Sequence, residues 1–206
     1  MFEGPEGAGK SGQIERLADW LEATGRKAIR TREPGGTPIG ERIRDTVLRA
    51  RVEVPPTTEL LLFAAERSAH VELVIRPALA RGQAVLSDRY ALSTRIYQGV
   101  ARGLDPAIVE LAVGLATGGL EPDLYLILDV RPEVGADRQR ASGRTPDRIE
   151  AEDLEFMRRV REGYREFAAS SARAELIDAE EKPDRVAARV RALVEDRFAG
   201  WLARGG

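Results

Sequence analysis

Gly4-Pro5-Glu6-Gly7-Ala8-Gly9-Lys10-Ser11 is the stretch that decides the fold. It matches the phosphate-binding pattern G-x-x-x-x-G-K-[ST] at every fixed position. Glycine lets the backbone curl so that successive N–H groups point at phosphates, and the positive end of the following helix favours the same anion. Lys10 supplies charge for the β- and γ-phosphates, and the Ser11 hydroxyl can hold Mg²⁺. The stretch therefore predicts an ATP site over residues 4–11.

The alternative explanation for these residues is a glycine-rich turn that only caps a helix. Lysine is rare in the chain, occurring only as Lys10, Lys27 and Lys182, and arginine carries nearly all the positive charge. A chance match to a motif that requires lysine is therefore on the order of one in several hundred. Phosphate binding is the stronger interpretation.

Composition limits the class of protein. The chain has 206 residues, 43% of them hydrophobic and 32% charged, which fits one soluble domain spanning residues 1–206. The net charge is −2 without a basic tail, so neither nucleic acid nor a membrane surface is an expected partner. Cysteine is absent, which excludes disulfides, thiolate metal sites and cysteine nucleophiles. No signal peptide precedes Phe2 and no apolar stretch is long enough to cross a membrane, so we expect a cytoplasmic protein.

Short apolar runs alternate with longer helical stretches, which is the pattern of a parallel sheet covered by helices. The run at 124–130 is almost wholly apolar, as expected of a strand buried on both faces. The predicted strands are 27–31, 84–87, 124–130 and 174–177. The predicted helices are 10–24, 39–51, 58–81, 106–117, 133–141, 151–172 and 183–197. This order of elements predicts an α/β fold.

A phosphate loop occurs in kinases, GTPases and motor ATPases, so other signals must separate these classes. GTPases usually read guanine with an Asn-Lys-x-Asp element, which a chain without asparagine cannot have. Motor ATPases usually need a longer chain than 206 residues. A small kinase is the leading interpretation.

Four further motifs follow the phosphate loop, and together they carry a family resemblance. They are Thr31-Arg32-Glu33-Pro34-Gly35-Gly36-Thr37, Leu62-Phe63-Ala64-Ala65-Glu66-Arg67, Asp88-Arg89-Tyr90 and Ser93-Thr94-Arg95-Ile96-Tyr97-Gln98-Gly99. In register from Phe2 to about Ala172, the chain resembles bacterial thymidylate kinase, which makes dTDP from dTMP and ATP. The resemblance implies a P-loop nucleoside monophosphate kinase fold, a five-stranded parallel sheet in the order 2-3-1-4-5, and a homodimer.

The same motifs make physical sense as a nucleotide acceptor site. Asp88 and Arg89 end an apolar strand, at the carboxyl edge where open α/β sheets bind ligands. Arg89 offers a planar fork to a phosphate, and Asp88 can orient Mg²⁺ through its water. Phe63 lies four residues before Arg67, so an aromatic plate and a guanidinium can face the same base. Gln98 carries both a donor and an acceptor, as the edge of thymine requires.

The resemblance implies contacts with dTMP for six residues and an approach of Glu6 to the sugar. The six are Phe63, Arg67, Arg89, Thr94, Tyr97 and Gln98. Taken singly, these residues have structural alternatives, such as a core phenylalanine, a solvated or ion-paired arginine, a strand-end ion pair or a turn. Their joint occurrence in this order favours binding. His70, the sole histidine, is expected to be a surface or satisfied residue without a functional role.

Residues 136–150 are predicted to form a mobile lid. Phosphoryl transfer depends mainly on positioning and positive charge, and the resemblance implies that this segment closes over ATP and donates arginine charge. Family members with an arginine in the phosphate loop lack one in the lid, and Gly7 occupies that loop position, so we expect the lid-arginine type. The arginines in and around the segment are Arg138, Arg140, Arg144 and Arg148, of which Arg138 and Arg148 are the predicted catalytic pair. Arginines on a solvated helix are the alternative.

The sequence departs from the family pattern in several places. Ile96 stands where a small residue is usual, which predicts crowding of the thymine or of a neighbouring helix. Gly12 replaces a hydroxyl residue and weakens the start of the helix by roughly 0.5–1 kcal/mol. The lid is about one residue longer than in close relatives. Only residues 1–3 precede Gly4, fewer than the roughly five of an ordinary strand, so we expect either a natural chain that begins upstream or a truncated, weakened first strand.

The combined expectation is a Mg²⁺-dependent enzyme that transfers the γ-phosphoryl group of ATP to the 5′-phosphate of dTMP. The predicted catalytic residues are Lys10, Arg89, Arg138 and Arg148, and the predicted metal ligands are Ser11 and Asp88. Two alternatives stay open: a kinase for another nucleoside or nucleotide, and a nucleotide-gated binding module without turnover.

Overall fold

A computed structural model describes residues 1–143 and 145–203 of the chain. Within those ranges, one parallel sheet has the strand order β2-β3-β1-β4-β5, which confirms the expected 2-3-1-4-5 order. The strands are β1 (Phe2–Glu3), β2 (Ala28–Arg32), β3 (Ala84–Asp88), β4 (Tyr125–Asp129) and β5 (Ala174–Asp178).

The first strand is short, as predicted, yet it joins both of its neighbours. Phe2 pairs with Asp88 on β3 and with Leu126 on β4. The carbonyl oxygen of Phe2 accepts from the Arg89 N–H at 2.9 Å, and that of Met1 accepts from the Leu126 N–H at 2.8 Å. Two residues therefore bridge the middle of the sheet directly below the phosphate loop.

Helices cover both faces of the sheet. They are α1 (Lys10–Ala23), α2 (Pro38–Leu48), α3 (Pro56–His70), α4 (Arg76–Ala80), α5 (Ala91–Thr94), α6 (Pro106–Thr117), α7 (Pro132–Ala141), α8 (Leu154–Ser170) and α9 (Pro183–Leu202). Two π-helical segments, Val71–Ile75 and Arg95–Ala101, continue α3 and α5. In the described ranges, no helix is both long and apolar enough to cross a membrane.

The predicted helix 58–81 is continuous in the structure but changes its winding. A π-helical segment separates α3 from α4, and Pro77 stands in the first turn of α4. Proline has no N–H to donate to the preceding turn, which favours the wider winding just before it. The α5 helix and the π-helical segment after it were not predicted, although they carry the motif that includes Tyr97 and Gln98.

Strand β4 explains why its sequence is continuously apolar. Leu126 and Leu128 pack into the core layer that contains Ile14 of α1. Tyr125 and Ile127 point to the opposite face, into the layer that contains Val160 of α8. Because side chains alternate along a strand, a strand covered on both faces needs apolar residues at every position.

Candidate active site

A cavity of about 890 Å³ opens at the carboxyl edge of the sheet. The phosphate loop forms one wall, and the ends of β2 and β3 form the floor together with α3 and the segment Arg95–Ala101. The N-terminal loop and the acceptor motifs, which are distant in sequence, therefore meet around one space. Open α/β sheets bind ligands at this edge.

The phosphate loop has the backbone conformation that its glycines allow. Gly4 and Gly7 have φ angles of 132° and 73°. The Lys10 ammonium folds back over the loop and donates to the carbonyl oxygens of Gly4 at 3.2 Å and Pro5 at 3.0 Å. Burial, followed by repulsion from Arg89, lowers the pKa of Lys10. The positive charge of Lys10 therefore lies at the phosphate loop, bonded to uncharged carbonyl oxygens.

The loop packs closely against α7. A side chain at position 7 would overlap the backbone of Gly135, and a side chain at position 135 would overlap the carbonyl oxygen of Glu6. Arg138, one turn further along α7, donates to the carbonyl oxygens of Gly7 at 3.3 Å and Ala179 at 2.9 Å. The contact therefore brings one predicted lid arginine directly to the phosphate loop.

The two predicted metal residues are in contact. The Ser11 hydroxyl donates to Oδ2 of Asp88 at 2.8 Å. Hydroxyl and carboxylate oxygens are the ligand types that Mg²⁺ prefers, and this ion usually completes its shell with water and substrate phosphates. No group of three or more histidine, cysteine or acidic side chains that could hold a metal occurs in the described residues.

Arg89 is the most extensively bonded side chain of the cavity. Its φ of 74° lies in the left-handed region, a strained conformation that aims the side chain back across the loop. Arg89 pairs with the Glu6 carboxylate. Burial by itself would lower the pKa of Arg89, but the charge of Glu6 is the main contribution that raises it above its ordinary value. Its other acceptors are the Gly4 carbonyl (3.2 Å), Ser93 Oγ (3.1 Å), Tyr97 OH (3.1 Å) and Tyr164 OH (3.2 Å).

A buried carboxylate supports Arg89 from behind. Glu3 is fully buried, and its Oε2 accepts from Ser93 Oγ at 2.6 Å and from Tyr164 OH at 2.8 Å. Because both hydroxyls donate to Glu3, their lone pairs are left to accept from Arg89. Burial raises the pKa of Glu3, and the charge of Arg89 opposes that rise.

Arg67 is buried rather than solvated, and it is held by three acceptors. It donates to Glu33 Oε2 at 2.7 Å, to Thr94 Oγ1 at 2.9 Å and to the Tyr90 carbonyl at 3.2 Å. The other oxygen of Glu33 lies 2.8 Å from Nδ1 of His70. Arg67 and Thr94, both predicted to contact dTMP, therefore touch each other.

The remaining acceptor residues complete the same wall. Phe63, Tyr97 and Gln98 line the cavity with Arg67, Thr94 and Arg89. Phe63 is 8% exposed and also belongs to the core layer that contains Val47. The Gln98 amide donates from Nε2 to Glu59 Oε1 at 2.7 Å. All six residues predicted to contact dTMP, and Glu6, are thus brought to one cavity.

The predicted lid arginines are distributed unequally. Arg138 lines the cavity, whereas Arg148 does not. Arg148 instead pairs with Glu59 and donates to the Val47 carbonyl at 3.0 Å. Arg140 is exposed and pairs with Asp137, and Arg144 lies outside the described residues. In this conformation only one of the two predicted catalytic lid residues is near the loop.

Comparison with known proteins agrees with the motifs. The family model described as thymidylate kinase matches residues 2–190. The chain belongs to the thymidylate kinase family. It is 48% identical over 205 residues to the thymidylate kinase of Oleidesulfovibrio alaskensis, covering 96% of this chain and 97% of the relative. It is 47% identical to that of Gloeobacter violaceus, covering 94% and 92%.

A solved structure gives the same result for the fold. The crystal structure of thymidylate kinase from Ehrlichia chaffeensis superposes with a TM-score of 0.76 at 28% identity, covering 94% of this chain and 96% of the other. The likeness therefore extends over almost the full length of both chains.

Ile96, which departs from the thymidylate kinase pattern, is accommodated on the helix side. It is 3% exposed and is not among the residues that line the cavity. A Cβ placed on Gly163 of α8 would lie 3.1 Å from Ile96 Cδ1. The missing side chain of Gly163 therefore makes room for the larger residue.

Sequence reasoning missed the carboxylates that hold the thymidylate kinase site in place. Glu3, Glu33 and Glu59 are buried and accept from Ser93, Arg67 and Gln98 respectively. Glu3 had a signal, because a carboxylate stands out in an apolar strand before the loop. Glu59 had none, since a glutamate in the first turn of a helix is ordinary.

Proposed function

We propose that this chain transfers the γ-phosphoryl group of ATP to the 5′-phosphate of dTMP, producing dTDP for dTTP synthesis. The observation that carries the proposal is the shared cavity, where the phosphate loop faces Arg89 and the wall formed by Phe63, Arg67 and Gln98. The names of the similar bacterial proteins support the same reaction.

The donor nucleotide binds on residues 4–11. Lys10 leaves the carbonyl oxygens of Gly4 and Pro5 and places its charge on the β- and γ-phosphates. Arg138 adds charge to the transferred group, because it already reaches the Gly7 carbonyl. Ser11 and Asp88 would hold Mg²⁺, which would neutralise phosphate charge.

The acceptor phosphate binds to Arg89. Its guanidinium now pairs with Glu6, so the incoming phosphate takes over donors that the carboxylate holds, and Glu6 turns towards the sugar. A phosphate oxygen is itself a competent nucleophile, so no strong general base is required. Arg89 and the hydroxyl of Tyr97 position that oxygen for in-line attack.

The base binds between the Phe63 ring and the polar side chains of the same cavity wall. Phe63 stacks on the pyrimidine, while Arg67, Thr94 and Gln98 face its edge. Arg67 and Gln98 are each fixed by a buried carboxylate, which gives the base a preformed site. Arg148 acts on the transferred phosphoryl group only if the lid releases it from Glu59.

Residues 1–206 form one domain with a lid at about 136–150, and two copies associate as a homodimer. The apolar side chains Ile108, Leu111 and Leu115 follow one face of α6 and are 52–76% exposed. Neighbouring α3, which packs beside α6, adds the exposed Leu61. Light scattering on a sizing column gives the mass, and Leu111→Glu with Leu115→Glu is expected to halve it.

One experiment tests the function. Purified protein is given ATP, Mg²⁺ and a panel of nucleoside monophosphates, and diphosphate products are measured at steady state. The proposal requires dTMP to have the highest kcat/KM. A different preferred acceptor would indicate another kinase, and binding of ATP and dTMP without dTDP would indicate a binding module.

A further inference from the structure

Glu59 is a buried carboxylate on α3, one turn before Phe63. It is 1% exposed and is surrounded by donors from two other parts of the chain. Oε1 accepts from Gln98 Nε2 at 2.7 Å and from Arg102 Nε at 3.3 Å. Oε2 accepts from Arg148 and lies 3.4 Å from Arg102. All of the donors point at one charge.

These contacts keep Glu59 ionised. Burial by itself would raise the pKa of Glu59, but hydrogen bonds from Gln98 and Arg148 and the charge of Arg102 outweigh burial and hold the pKa below its ordinary value. An ionised carboxylate has no proton to donate and can only accept. The group that faces Glu59 from Gln98 must therefore be the NH₂ of the amide.

The orientation of the amide decides what Gln98 offers to the cavity. With Nε2 on Glu59, the carbonyl Oε1 is on the opposite branch of the amide and accepts no hydrogen bond from any described residue. Gln98 lines the cavity beside Phe63. A flipped amide would place Oε1 against a carboxylate oxygen 2.7 Å away, which is repulsive. Gln98 thus presents an acceptor to the ligand.

We propose that Glu59 is a positioning residue that sets base choice by locking the Gln98 amide with its carbonyl oxygen towards the ligand. This inference rests on the proposed function, in which a pyrimidine stacks on Phe63. Thymine and uracil have a donor at N3, which matches the carbonyl oxygen. Cytosine has an acceptor at N3, which meets the same oxygen with like polarity.

The proposal separates two roles that a buried glutamate can have. A merely structural carboxylate would affect all substrates alike, because its loss would loosen the whole wall. A positioning carboxylate affects the ratio between two bases that differ in the polarity of N3. Sites built to match one hydrogen-bond pattern reject its reverse more strongly than sites that only match shape.

The test compares dTMP with 5-methyl-dCMP, which keeps the methyl group and reverses the hydrogen-bond pattern at N3 and C4. In Glu59→Gln the neutral amide can accept or donate, so the Gln98 amide is free to turn. We expect the ratio of kcat/KM for dTMP over 5-methyl-dCMP to fall by about tenfold, the worth of one hydrogen bond. The matched control is Glu152→Gln, which removes the partner of Arg102 at 2.6 Å without touching Gln98 and should keep the wild-type ratio.

Circular dichroism and thermal melting show whether Glu59→Gln is folded. If it is not, Glu59→Asp keeps the charge for Arg102 and Arg148 while shortening the reach to Gln98, and the ratio is expected to fall in that variant. An unchanged ratio in either folded variant, or an equal fall in Glu152→Gln, overturns the inference. If wild-type protein gives no dTDP, the proposed function fails, and calorimetric Kd values for the two nucleotides still decide the role of Glu59.

Discussion

In the acceptor half of the cavity, carboxylates hold the polar side chains, whereas in the donor half Lys10 and Arg138 rest on backbone carbonyl oxygens. Arg67 bonds to Glu33 and Gln98 to Glu59, and Glu3 supports Arg89 through Ser93 and Tyr164. Within the part of the chain that the structure describes, Lys10 and Arg138 bond only to main-chain oxygens. The Arg67–Glu33 bond has charge on both partners, whereas the bonds of Lys10 and Arg138 have charge on the donor alone.

This contrast assigns different mechanical properties to the two halves. The acceptor wall is fixed before a ligand arrives, which reduces the cost of ordering it on binding. The donor cations can leave neutral acceptors for phosphate oxygens at little cost, as a loop and lid that close around ATP require. Base choice therefore belongs to the rigid half and charge stabilisation to the adaptable half.

Removing the donor lysine should have the largest effect. Lys10→Ala deletes a charge that would otherwise move to the phosphates, and we expect kcat/KM to fall by about 10³-fold or more. Coupled-assay kinetics and a melting curve measure activity and folding separately. A folded variant with near-normal dTDP production would remove the phosphate loop from the mechanism.

The lid arginine at the loop should come next. Arg138→Ala is expected to lower kcat by about 10²-fold or more with little change in the KM for dTMP, because its charge acts on the transferred group. Arg140→Ala, on the same helix but exposed, is the matched control and should stay within about twofold of wild type. Equal losses in both variants would contradict a specific role for Arg138.

The acceptor phosphate site can be weakened without changing its charge. Arg89→Lys loses the planar fork and most of the five contacts of Arg89, so the KM for dTMP should rise by about 10- to 100-fold. The KM for ATP should change much less, since the donor half has its own cations. A full-activity variant would show that Arg89 is peripheral.

Phe63→Ala tests stacking against core packing. If Phe63 stacks on thymine, dTMP binding should weaken by about 1–3 kcal/mol while ATP binding is kept. Phe63 also contacts the core layer, so a melting curve must accompany the titration calorimetry. Equal losses for both nucleotides would identify a core residue instead.

The smallest expected effect concerns the pH dependence of stability, through Glu66 in the acceptor half. Burial and the neighbouring charge of Glu33 raise the pKa of Glu66, whose Oε1 accepts from the Gly35 N–H at 2.9 Å. The folded protein therefore keeps a proton that the unfolded chain releases above about pH 5, so stability falls as the pH rises. Glu66→Gln should flatten the dependence of the melting temperature between pH 5 and 8 by a few degrees. A slope as steep as that of wild type would show that Glu66 is ionised.

The sequence predicted the residues whose side-chain type indicates a function. It did not predict contacts between side chains that are distant in the sequence. The phosphate loop and the apolar runs predicted an α/β fold, while the strand order came from the family resemblance. Ligand-facing residues such as Arg89 were predicted because a fork or an aromatic plate is recognisable. Glu33 and Glu59 were missed because each accepts from a residue more than 30 positions away.

Conformation limited the prediction for the lid. Arg138 and Arg148 have the same residue type and similar local sequence, but only the three-dimensional contact with Glu59 shows that Arg148 faces away from the loop. The π-helical segment before α4 was predictable from the sequence, because Pro77 follows it. The segment after β3 was not, since π-helical winding has no simple sequence pattern.

The close packing of Gly7 on Gly135 restricts how this protein can diverge. An arginine at position 7 would overlap the backbone of Gly135 and push α7 away from the phosphate loop. Because α7 carries Arg138, the charge gained at position 7 would move the charge of Arg138 out of place. If the Gly7→Arg variant is mutagenised and selected for restored activity, we expect the first compensating substitutions to lie in α7. Sequencing the selected clones measures where they lie. In this chain, an arginine in the loop and an arginine on α7 therefore compete for the same space.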